Sequence, residues 1–215
     1  MLVHQMNFKI YGIIVTALLI VALVLLTVLW SSFQDSYPLT VEIDENKIII
    51  NGDISVNGEN LFYSKLDANP HVDTIVLAES FGGDSFAAME MGYEIRERGL
   101  NTYLKKDSWI ASSSVDLFLS GVERTIEKGA CIGVHSWYVP DVAGFFNSPD
   151  IDDLPDGHSF HNLFKVYTKD MLGDDDFYWF SMKIASTDDL YFLTENDIQE
   201  FQLGKVIGDG NFDCQ

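Results

Sequence analysis

The sequence predicts an α/β fold with a parallel core sheet. β-rich runs alternate with helical stretches after residue 39, the order found in layered α/β domains with right-handed crossovers. One of these runs, Val72–Ala78, is short and β-rich, as are strands buried within parallel sheets. Since 47% of the 215 residues are apolar, the chain can bury the core of one domain, which we place at residues 39–215.

An uncharged apolar segment, Ile10–Trp30, precedes this domain. A helix of this length, at about 1.5 Å per residue, covers the ~30 Å of a bilayer core. We therefore predict a cytoplasmic N-terminus (1–9), one transmembrane helix (10–30) and a linker (31–38). A cleaved signal peptide is the alternative, but the run exceeds the usual apolar core of about 7–15 residues and no A-x-A-like site follows.

The charges around this segment predict its orientation. Lys9 is the only Lys or Arg before it, and acidic residues follow it, which places the N-terminus in the cytoplasm. The domain is then periplasmic or extracellular, on a single-pass protein of the inner (cell) membrane. The net charge of −20 excludes a nucleic-acid partner, because such a surface repels phosphates. We interpret it as a solubilising surface rather than as a site for a cationic ligand.

In the first half of the domain, local patterns predict each element in turn. An alternating run and its continuation form a hairpin around Asp44-Glu45-Asn46, and Asn69-Pro70 ends the helix that follows. Gly99 and Gly121 are the stop signals of two later helices. The predicted elements are Leu39–Ile43, Lys47–Ile50, Glu59–Leu66, Val72–Ala78, Ser85–Arg98, Thr102–Leu104 and Ser112–Ser120.

The second half is predicted to begin with a hairpin formed by the charged stretch Glu123–Lys128 and the apolar strand Ala130–His135. A long loop rich in Pro, Gly and Asp occupies Trp137–Gly157. Helices are predicted at Ser159–Leu172 and Asp176–Ile184. A final short helix opens at the capping box Thr194-Glu195-Asn196-Asp197, and Leu203–Ile207 forms a terminal strand.

Three places carry groups that could do chemistry. Gly82-Gly83 follows a strand and precedes a helix, where bare amides can hold an oxyanion, although such a pair is more often a simple turn. Ser112 lies in a hydroxyl-bearing turn and is either a nucleophile or an N-cap. His135 ends a strand and is either a general base or a structural residue.

The sequence predicts no metal site and no cofactor. His158 and His161 lie near several aspartates, but without the H-E-x-x-H or calcium-loop spacing. We interpret this stretch, and likewise Asp174-Asp175-Asp176, as solvated loop and helix starts.

Several of these motifs, read in order, resemble the ClpP/crotonase superfamily, and more narrowly its membrane-anchored or periplasmic ClpP-like serine peptidases. The motifs are Ser80-Phe81-Gly82-Gly83, Ala111-Ser112 with Gly121 nine residues later, Arg124, and Gly133-Val134-His135. The resemblance runs from about residue 50 to residue 208. It implies a spiral of ββα units around the parallel sheet.

The resemblance also implies roles for individual residues. Ser112 matches the nucleophile and His135 the general base that takes its proton, although Ser113 and Ser114 lie close enough to be confused with the nucleophile. Gly82 and Gly83 match the oxyanion loop, with the Ser113 amide as a second donor. The third catalytic residue is matched by Asp189 or Asp188.

Two departures from the family pattern stand out. Phe81 occupies a position that is often Pro, which alters the preset geometry of the turn. The loop after Trp137 shows no match to the family's handle helix, so ring assembly does not follow, although the resemblance implies some homo-oligomer.

The sequence therefore predicts a membrane-anchored, periplasm-facing serine peptidase that acts on a peptide or protein. The alternative is an inactive module of the same fold that binds peptides or assembles at the membrane. An acyl-CoA enzyme is disfavoured, since few bases are present to bind CoA phosphates. Cys131 and Cys214 either form a disulfide, which an oxidising compartment permits, or remain free.

Overall fold

The computed structural model describes residues 15–24, 37–137, 151, 154–212 and 214. The chain divides into two units, Met1–Ser36 and Tyr37–Gln215. In the first unit a helix, α1, covers residues 15–24. Residues 10–14 and 25–30 of the predicted transmembrane segment lie outside the described residues. Among the residues that are described, no helix combines the length and apolarity needed to cross a membrane.

The second unit is built around a sheet of eight strands within the described residues, and most of its pairings are parallel, which confirms the α/β prediction. β1 and β2 form the predicted antiparallel hairpin. The main path of the sheet runs in the order β1-β2-β3-β4-β5-β8. These strands are β1 (Thr40–Asp44), β2 (Lys47–Asn51), β3 (Thr74–Ser80), β4 (Asn101–Ala111), β5 (Arg124–Glu127) and β8 (Lys205–Ile207).

The long strand β4 determines how the rest of the sheet is arranged. Its first half pairs in parallel with β5, and its second half pairs in parallel with β6 (Cys131–Val134). β6 in turn pairs antiparallel with the short β7 (Tyr191–Phe192). The prediction of a β5–β6 hairpin is therefore wrong, because both strands pair with β4 instead of with each other.

The predicted strand Thr102–Leu104 was too short because β4 continues through an irregularity. Its middle residues, Lys105 to Asp107, are exposed, and the register with β3 shifts nearby. The buried Ser108 bridges this point: its hydroxyl donates to the Leu77 carbonyl at 2.7 Å and accepts from the Lys105 amide at 2.9 Å. A polar exposed stretch inside a strand breaks the apolar pattern that sequence analysis relies on.

Six helices of this unit connect the strands. α5 and α6 coincide with their predicted bounds, and α7 opens with the predicted capping box between Thr194 and Asp197. The helices are α2 (Val56–Ala68), α3 (Ser85–Glu97), α4 (Ser113–Leu119), α5 (Ser159–Leu172), α6 (Asp176–Ile184) and α7 (Glu195–Glu200).

The short helix α4 lies within the core, and two arginines hold its C-terminal end. Arg96 donates to the Ser120 and Leu119 carbonyls at 2.8 and 3.1 Å. Arg124 donates to the Gly121 carbonyl at 3.1 Å and to the Leu203 carbonyl at 2.6 Å. Cations at a helix C-terminus satisfy carbonyls that have no partner within the helix and oppose the negative end of its dipole.

A disulfide joins Cys131 and Cys214 across 83 positions of sequence, with Cα atoms 5.6 Å apart. The sequence left this pairing open. The bond attaches the C-terminal tail to β6, the strand that leads to His135.

Candidate active site

Ser112 occupies a strained turn between β4 and α4. Its backbone has φ 54° and ψ −134°, a conformation that residues other than glycine rarely adopt. Its amide is fixed by a 3.1 Å hydrogen bond to the Gly133 carbonyl of β6. Its hydroxyl forms no capping bond to the helix, so the N-cap alternative does not account for this serine. A serine on a sharp strand-to-helix turn presents its hydroxyl outward, as nucleophiles require.

The neighbouring serines are in different environments. Ser114 is fully buried, and its hydroxyl is hydrogen-bonded to that of the buried Ser80, at the end of β3. The Ser113 hydroxyl is also buried, but it has no hydrogen-bond partner within the described residues. Of the three serines, Ser112 alone is partly exposed.

Gly82 and Gly83 form a turn that lies directly against Ser112. Both have positive φ, 101° and 123°. A Cβ added at Gly82 would lie 2.7 Å from the Ser112 Cβ and 3.0 Å from the Ser113 amide nitrogen, so this close approach requires glycine. A Cβ added at Gly83 would lie 2.2 Å from the Ile54 carbonyl oxygen.

Two amides beside Ser112 are available to a ligand. Ile54 donates to the Gly82 carbonyl at 2.7 Å and accepts from the Asp84 amide at 2.9 Å. The Gly83 amide lies between these two groups in the chain and takes no part in either bond. Ser113 is the first residue of α4, where an amide has no partner within the helix. Within the described part of the chain, neither amide donates a hydrogen bond. Such amides can stabilise a developing oxyanion.

Phe81, at the position where a proline often stands, is held in place by other contacts. Its amide donates to the Asp53 carboxylate at 3.0 Å, and its ring packs on Trp109 with centroids 4.7 Å apart. The two positive-φ glycines therefore form their turn without a preceding proline.

His135 follows β6, the strand beside β4, and lines a cavity together with Ser112. Its Nδ1 is hydrogen-bonded to the Ser136 carbonyl oxygen. Because a carbonyl oxygen only accepts, Nδ1 carries the proton and Nε2 of the neutral ring retains its lone pair. This is the tautomer that a general base needs. No hydrogen bond joins His135 to Ser112 within the described residues.

The structure does not bring Asp189 to His135. Asp189 is exposed in the segment between α6 and β7, and its carboxylate accepts a 3.1 Å hydrogen bond from Ser186. Asp188 is exposed in the same segment, and neither residue lines the cavity. In the described part of the chain, the His135 ring is oriented by a backbone carbonyl and not by either of these carboxylates.

The cavity beside Ser112 has a volume of about 60 Å³ and is partly open to solvent. Aromatic side chains from the segment after β6 and from α5 and α6 form much of its wall, and Trp137 packs against Phe164 with centroids 4.8 Å apart. The apolar lining consists of Val115, Val134, Trp137, Phe164, Phe177, Tyr178 and Met182.

One residue of this cavity that the sequence analysis missed is Asp116. It is partly open to the cavity, but the surrounding protein excludes most water, and this burial raises the pKa of Asp116 to about 7. Within the described residues its carboxylate has no hydrogen-bond or ion-pair partner. Asp116 follows Ser112 by four positions in an apolar helix, a spacing that could have indicated a shared site.

The histidines that lie near aspartates in the sequence have structural roles. The His158 ring accepts a 3.3 Å hydrogen bond from the Phe160 amide and caps α5. His161 is buried and bonded to the Tyr178 hydroxyl at 2.7 Å. Among the residues that are described, no cluster of His, Cys, Asp or Glu could hold a metal ion. Asp152 and Asp153, which stand near these histidines in sequence, lie outside the described residues.

The chain is similar in fold to several solved structures. A variant of the 1510-N membrane-bound stomatin-specific protease matches with a TM-score of 0.53 and 16% identity over 75% of this chain and 77% of that chain. Another variant of that protease, in complex with a substrate peptide, matches with a TM-score of 0.52 and 16% identity over 75% and 73%. A ClpP1 variant from Listeria monocytogenes matches with a TM-score of 0.53 and 14% identity over 76% and 92%.

No family model matches the sequence, and no curated protein matches it. Identities of 14–16% establish a shared fold and leave the activity open.

Proposed function

We propose, on the premise that this chain has the ClpP/crotonase superfamily fold, that it is a serine peptidase with Ser112 as nucleophile and His135 as general base. The observation that carries the proposal is the conformation of Ser112. Ser112 has a strained backbone although it is not glycine, it lies against the two glycines, and it lines the cavity. Backbone strain of this kind clusters at functional sites.

The reaction follows from the groups around Ser112. The Ser112 hydroxyl attacks the carbonyl carbon of a peptide bond, and its proton passes to Nε2 of His135. The negative charge that develops on the carbonyl oxygen is met by the Gly83 and Ser113 amides. His135 then gives the proton to the leaving amine, and water hydrolyses the acyl-enzyme by the same proton path in reverse.

The Ser136 carbonyl supplies part of what an aspartate supplies in a catalytic triad. It fixes the tautomer of His135, but it brings no negative charge to stabilise the imidazolium that forms. We therefore expect slower hydrolysis than in a Ser-His-Asp peptidase. Asp189 and Asp188 stay predictions for the third residue, and a movement of the segment between α6 and β7 would be required to engage either one.

The membrane anchor and the location of the domain belong to the same proposal. The apolar segment 10–30 supports a single-pass anchor in the inner membrane, and the charges around it support a periplasmic domain. The Cys131–Cys214 disulfide favours this side of the membrane, since disulfides persist in oxidising compartments. Homo-oligomer formation stays a prediction from the resemblance.

Covalent labelling of the full-length chain by a membrane-impermeant fluorophosphonate tests the activity and the location together. We expect intact spheroplasts of a Gram-negative expression host to label at Ser112, with the product in the membrane fraction. The variants Ser112→Ala and His135→Ala lose labelling by at least 100-fold, because they remove the nucleophile or its base. Ser120→Ala is the matched serine control and labels normally.

The two parts of the proposal can fail separately. Labelling only after the spheroplasts are lysed would reject the periplasmic location and retain the peptidase. Absence of labelling in a folded full-length chain would reject the peptidase.

An inactive peptide-binding module is the second candidate, and one observation favours it. The described residues contain no hydrogen bond between Ser112 and His135 and no carboxylate bonded to His135. Active sites without substrate are often loosely arranged, so this geometry does not decide between the candidates. Peptide binding that persists in Ser112→Ala, in a chain that never labels, would establish the module.

A further inference from the structure

The cavity beside Ser112 contains polar groups that catalysis does not use. The Ser113 amide is assigned to the oxyanion in the proposed reaction, whereas the Ser113 hydroxyl is buried and has no hydrogen-bond partner within the described residues. The Asp116 carboxylate lines the same cavity and also lacks a partner within the described residues. Both groups can therefore accept hydrogen bonds from a ligand in this cavity.

Helix geometry places these two groups together. Ser113 and Asp116 are three positions apart in α4, the spacing at which side chains are neighbours on one helix face. Both residues line the cavity, and so does Ser112, one residue before Ser113. A substrate side chain next to the bond under attack would therefore enter beside Ser112 and reach the Asp116 carboxylate, with the Ser113 hydroxyl buried behind it.

The charge of the lining determines which side chain fits. Among the described residues, Asp116 is the only acid that lines the cavity, and no Lys or Arg lines it. Burial without a compensating positive charge raises the pKa of Asp116 to about 7, so an anionic Asp116 is unfavourable until a cation arrives. An ammonium or guanidinium group has only donors, which both the Asp116 carboxylate and the Ser113 hydroxyl can accept.

The rest of the cavity suits the stem of such a side chain. Its wall is aromatic, with Trp137, Phe164 and Tyr178 in the lining. Aromatic faces pack against methylene groups and attract cations. The net charge of −20 also concentrates cationic peptides near the domain.

We propose that Asp116 and Ser113 form the base of a specificity pocket that selects peptides with a lysine or arginine side chain beside the bond that Ser112 attacks. The peptide bond cleavage rests on the proposed function, but the selection of a cation does not. It is a property of the pocket and remains measurable if Ser112 proves inactive.

Binding of a small cation tests the pocket without catalysis. The probe is benzamidinium, with benzamide as its neutral counterpart, added to the full-length chain in detergent at pH 8 and followed by calorimetry and by tryptophan fluorescence. We expect benzamidinium to bind at least tenfold more tightly than benzamide. Asp116→Asn should lose this difference, and Ser113→Ala should lose part of it.

Control variants separate this pocket from the charge of the whole surface. Glu123→Gln removes one exposed carboxylate and should leave benzamidinium binding unchanged. Ser112→Ala should also retain it. Equal affinity for the two compounds in the wild type, or loss of affinity in Glu123→Gln as large as in Asp116→Asn, would overturn the inference. Asp116→Asn removes the carboxylate charge and keeps the shape of the side chain, so we expect the variant to fold. Circular dichroism verifies this.

A second measurement connects the pocket to the reaction. Diphenyl phosphonate probes that carry a lysine-like or a leucine-like side chain should label Ser112 in a ratio of at least ten to one in the wild type and near one to one in Asp116→Asn. Fluorophosphonate labelling without this preference would reject the specificity and retain the peptidase. Cation binding that depends on Asp116, in a chain that no probe labels, would reject the peptidase and retain the pocket.

Discussion

The two ends of helix α4 differ in how their polar groups are hydrogen-bonded. At its C-terminal end, Arg96 and Arg124 donate to the carbonyls of Leu119, Ser120 and Gly121. At its N-terminal end, Ser112 is strained and forms no cap, and the Ser113 hydroxyl has no partner within the described residues. Both ends lie in a single helix of seven residues, so the difference is not a matter of depth in the fold.

The C-terminal end of α4 stabilises the helix, whereas its N-terminal end carries the groups that we propose act on a substrate. A strained backbone and an unpartnered buried hydroxyl each cost on the order of 1–3 kcal/mol. The hydrogen bonds at the C-terminal end oppose those costs, since they stabilise the same helix. We therefore expect substitutions at the two ends to change stability in opposite directions.

The largest effect is expected at the C-terminal end. Arg124→Met should lower the free energy of unfolding by ~4 kcal/mol, because charged hydrogen bonds contribute about 1.5–3 kcal/mol each and their buried carbonyls would be left unpaired. Urea denaturation of the full-length chain in detergent measures this. The control, Arg98→Met, breaks half-exposed ion pairs with Asp67 and Glu94 and should cost less than ~1 kcal/mol. Equal losses in the two variants would remove the contrast between the ends.

An intermediate effect of opposite sign is expected at Asp116 and depends on pH. Burial raises the pKa of Asp116 from 3.8 to about 7, so between these values the unfolded chain has lost a proton that the folded chain keeps. The free energy of unfolding therefore falls as pH rises from about 4 to about 7 and loses no more from this group above that. Asp116→Asn removes the loss and should exceed the wild type by up to ~4 kcal/mol above pH 7.

The comparison with wild type isolates Asp116 from other groups that titrate. His135 and Tyr178 line the same cavity, and Tyr167, whose pKa is raised by burial and by Asp116, packs nearby on α5. All three are present in both chains, and thermal unfolding between pH 4 and 8 gives the difference. Glu123→Gln, at an exposed site, should show no such growth with pH. A constant difference for Asp116→Asn would mean that its carboxylate is not desolvated.

The smallest effect is expected at Ser112. Glycine adopts φ 54° without the strain that a side chain brings, so Ser112→Gly should be more stable than Ser112→Ala by ~1 kcal/mol. At ordinary helix and strand positions the order is reversed, with alanine more stable. Both variants lose fluorophosphonate labelling. Chemical denaturation of the pair measures the strain, and a less stable glycine variant would show that the turn is relaxed.

Local patterns predicted most of the elements. The bounds of α5 and α6 and the Thr194 capping box were available from the sequence because caps and helical periodicity are local signals. The pairing of strands that are distant in sequence was harder to predict. β5 and β6 look like a hairpin, but each gains more from the long strand β4, whose exposed Lys105–Asp107 hid its continuation.

In the candidate site, too, some features have a signal in the sequence and others depend on contacts between distant residues. Order and spacing indicated Ser112, His135 and the Gly82-Gly83 turn, and the structure brings the glycines against the serine. The orientation of His135 by the Ser136 carbonyl has no sequence signal, since every residue has a carbonyl. Asp116 was missed because its importance depends on what surrounds it, and α4 looks like an ordinary apolar helix. The Cys131–Cys214 bond likewise depends on a distance in space.

The pairing of β4 with β6 has a mechanical consequence for the reaction. The two strands run in parallel register up to Ala111 and Gly133, and the Ser112 amide is bonded across them to the Gly133 carbonyl. The irregular register with β3 lies on the other side of β4. Because Ser112 and His135 follow these two paired strands, we expect flexing of the sheet at that irregularity to move them together and to change the distance between them little. The distance between the proposed nucleophile and base would then change only when one of the two strands moves relative to the other.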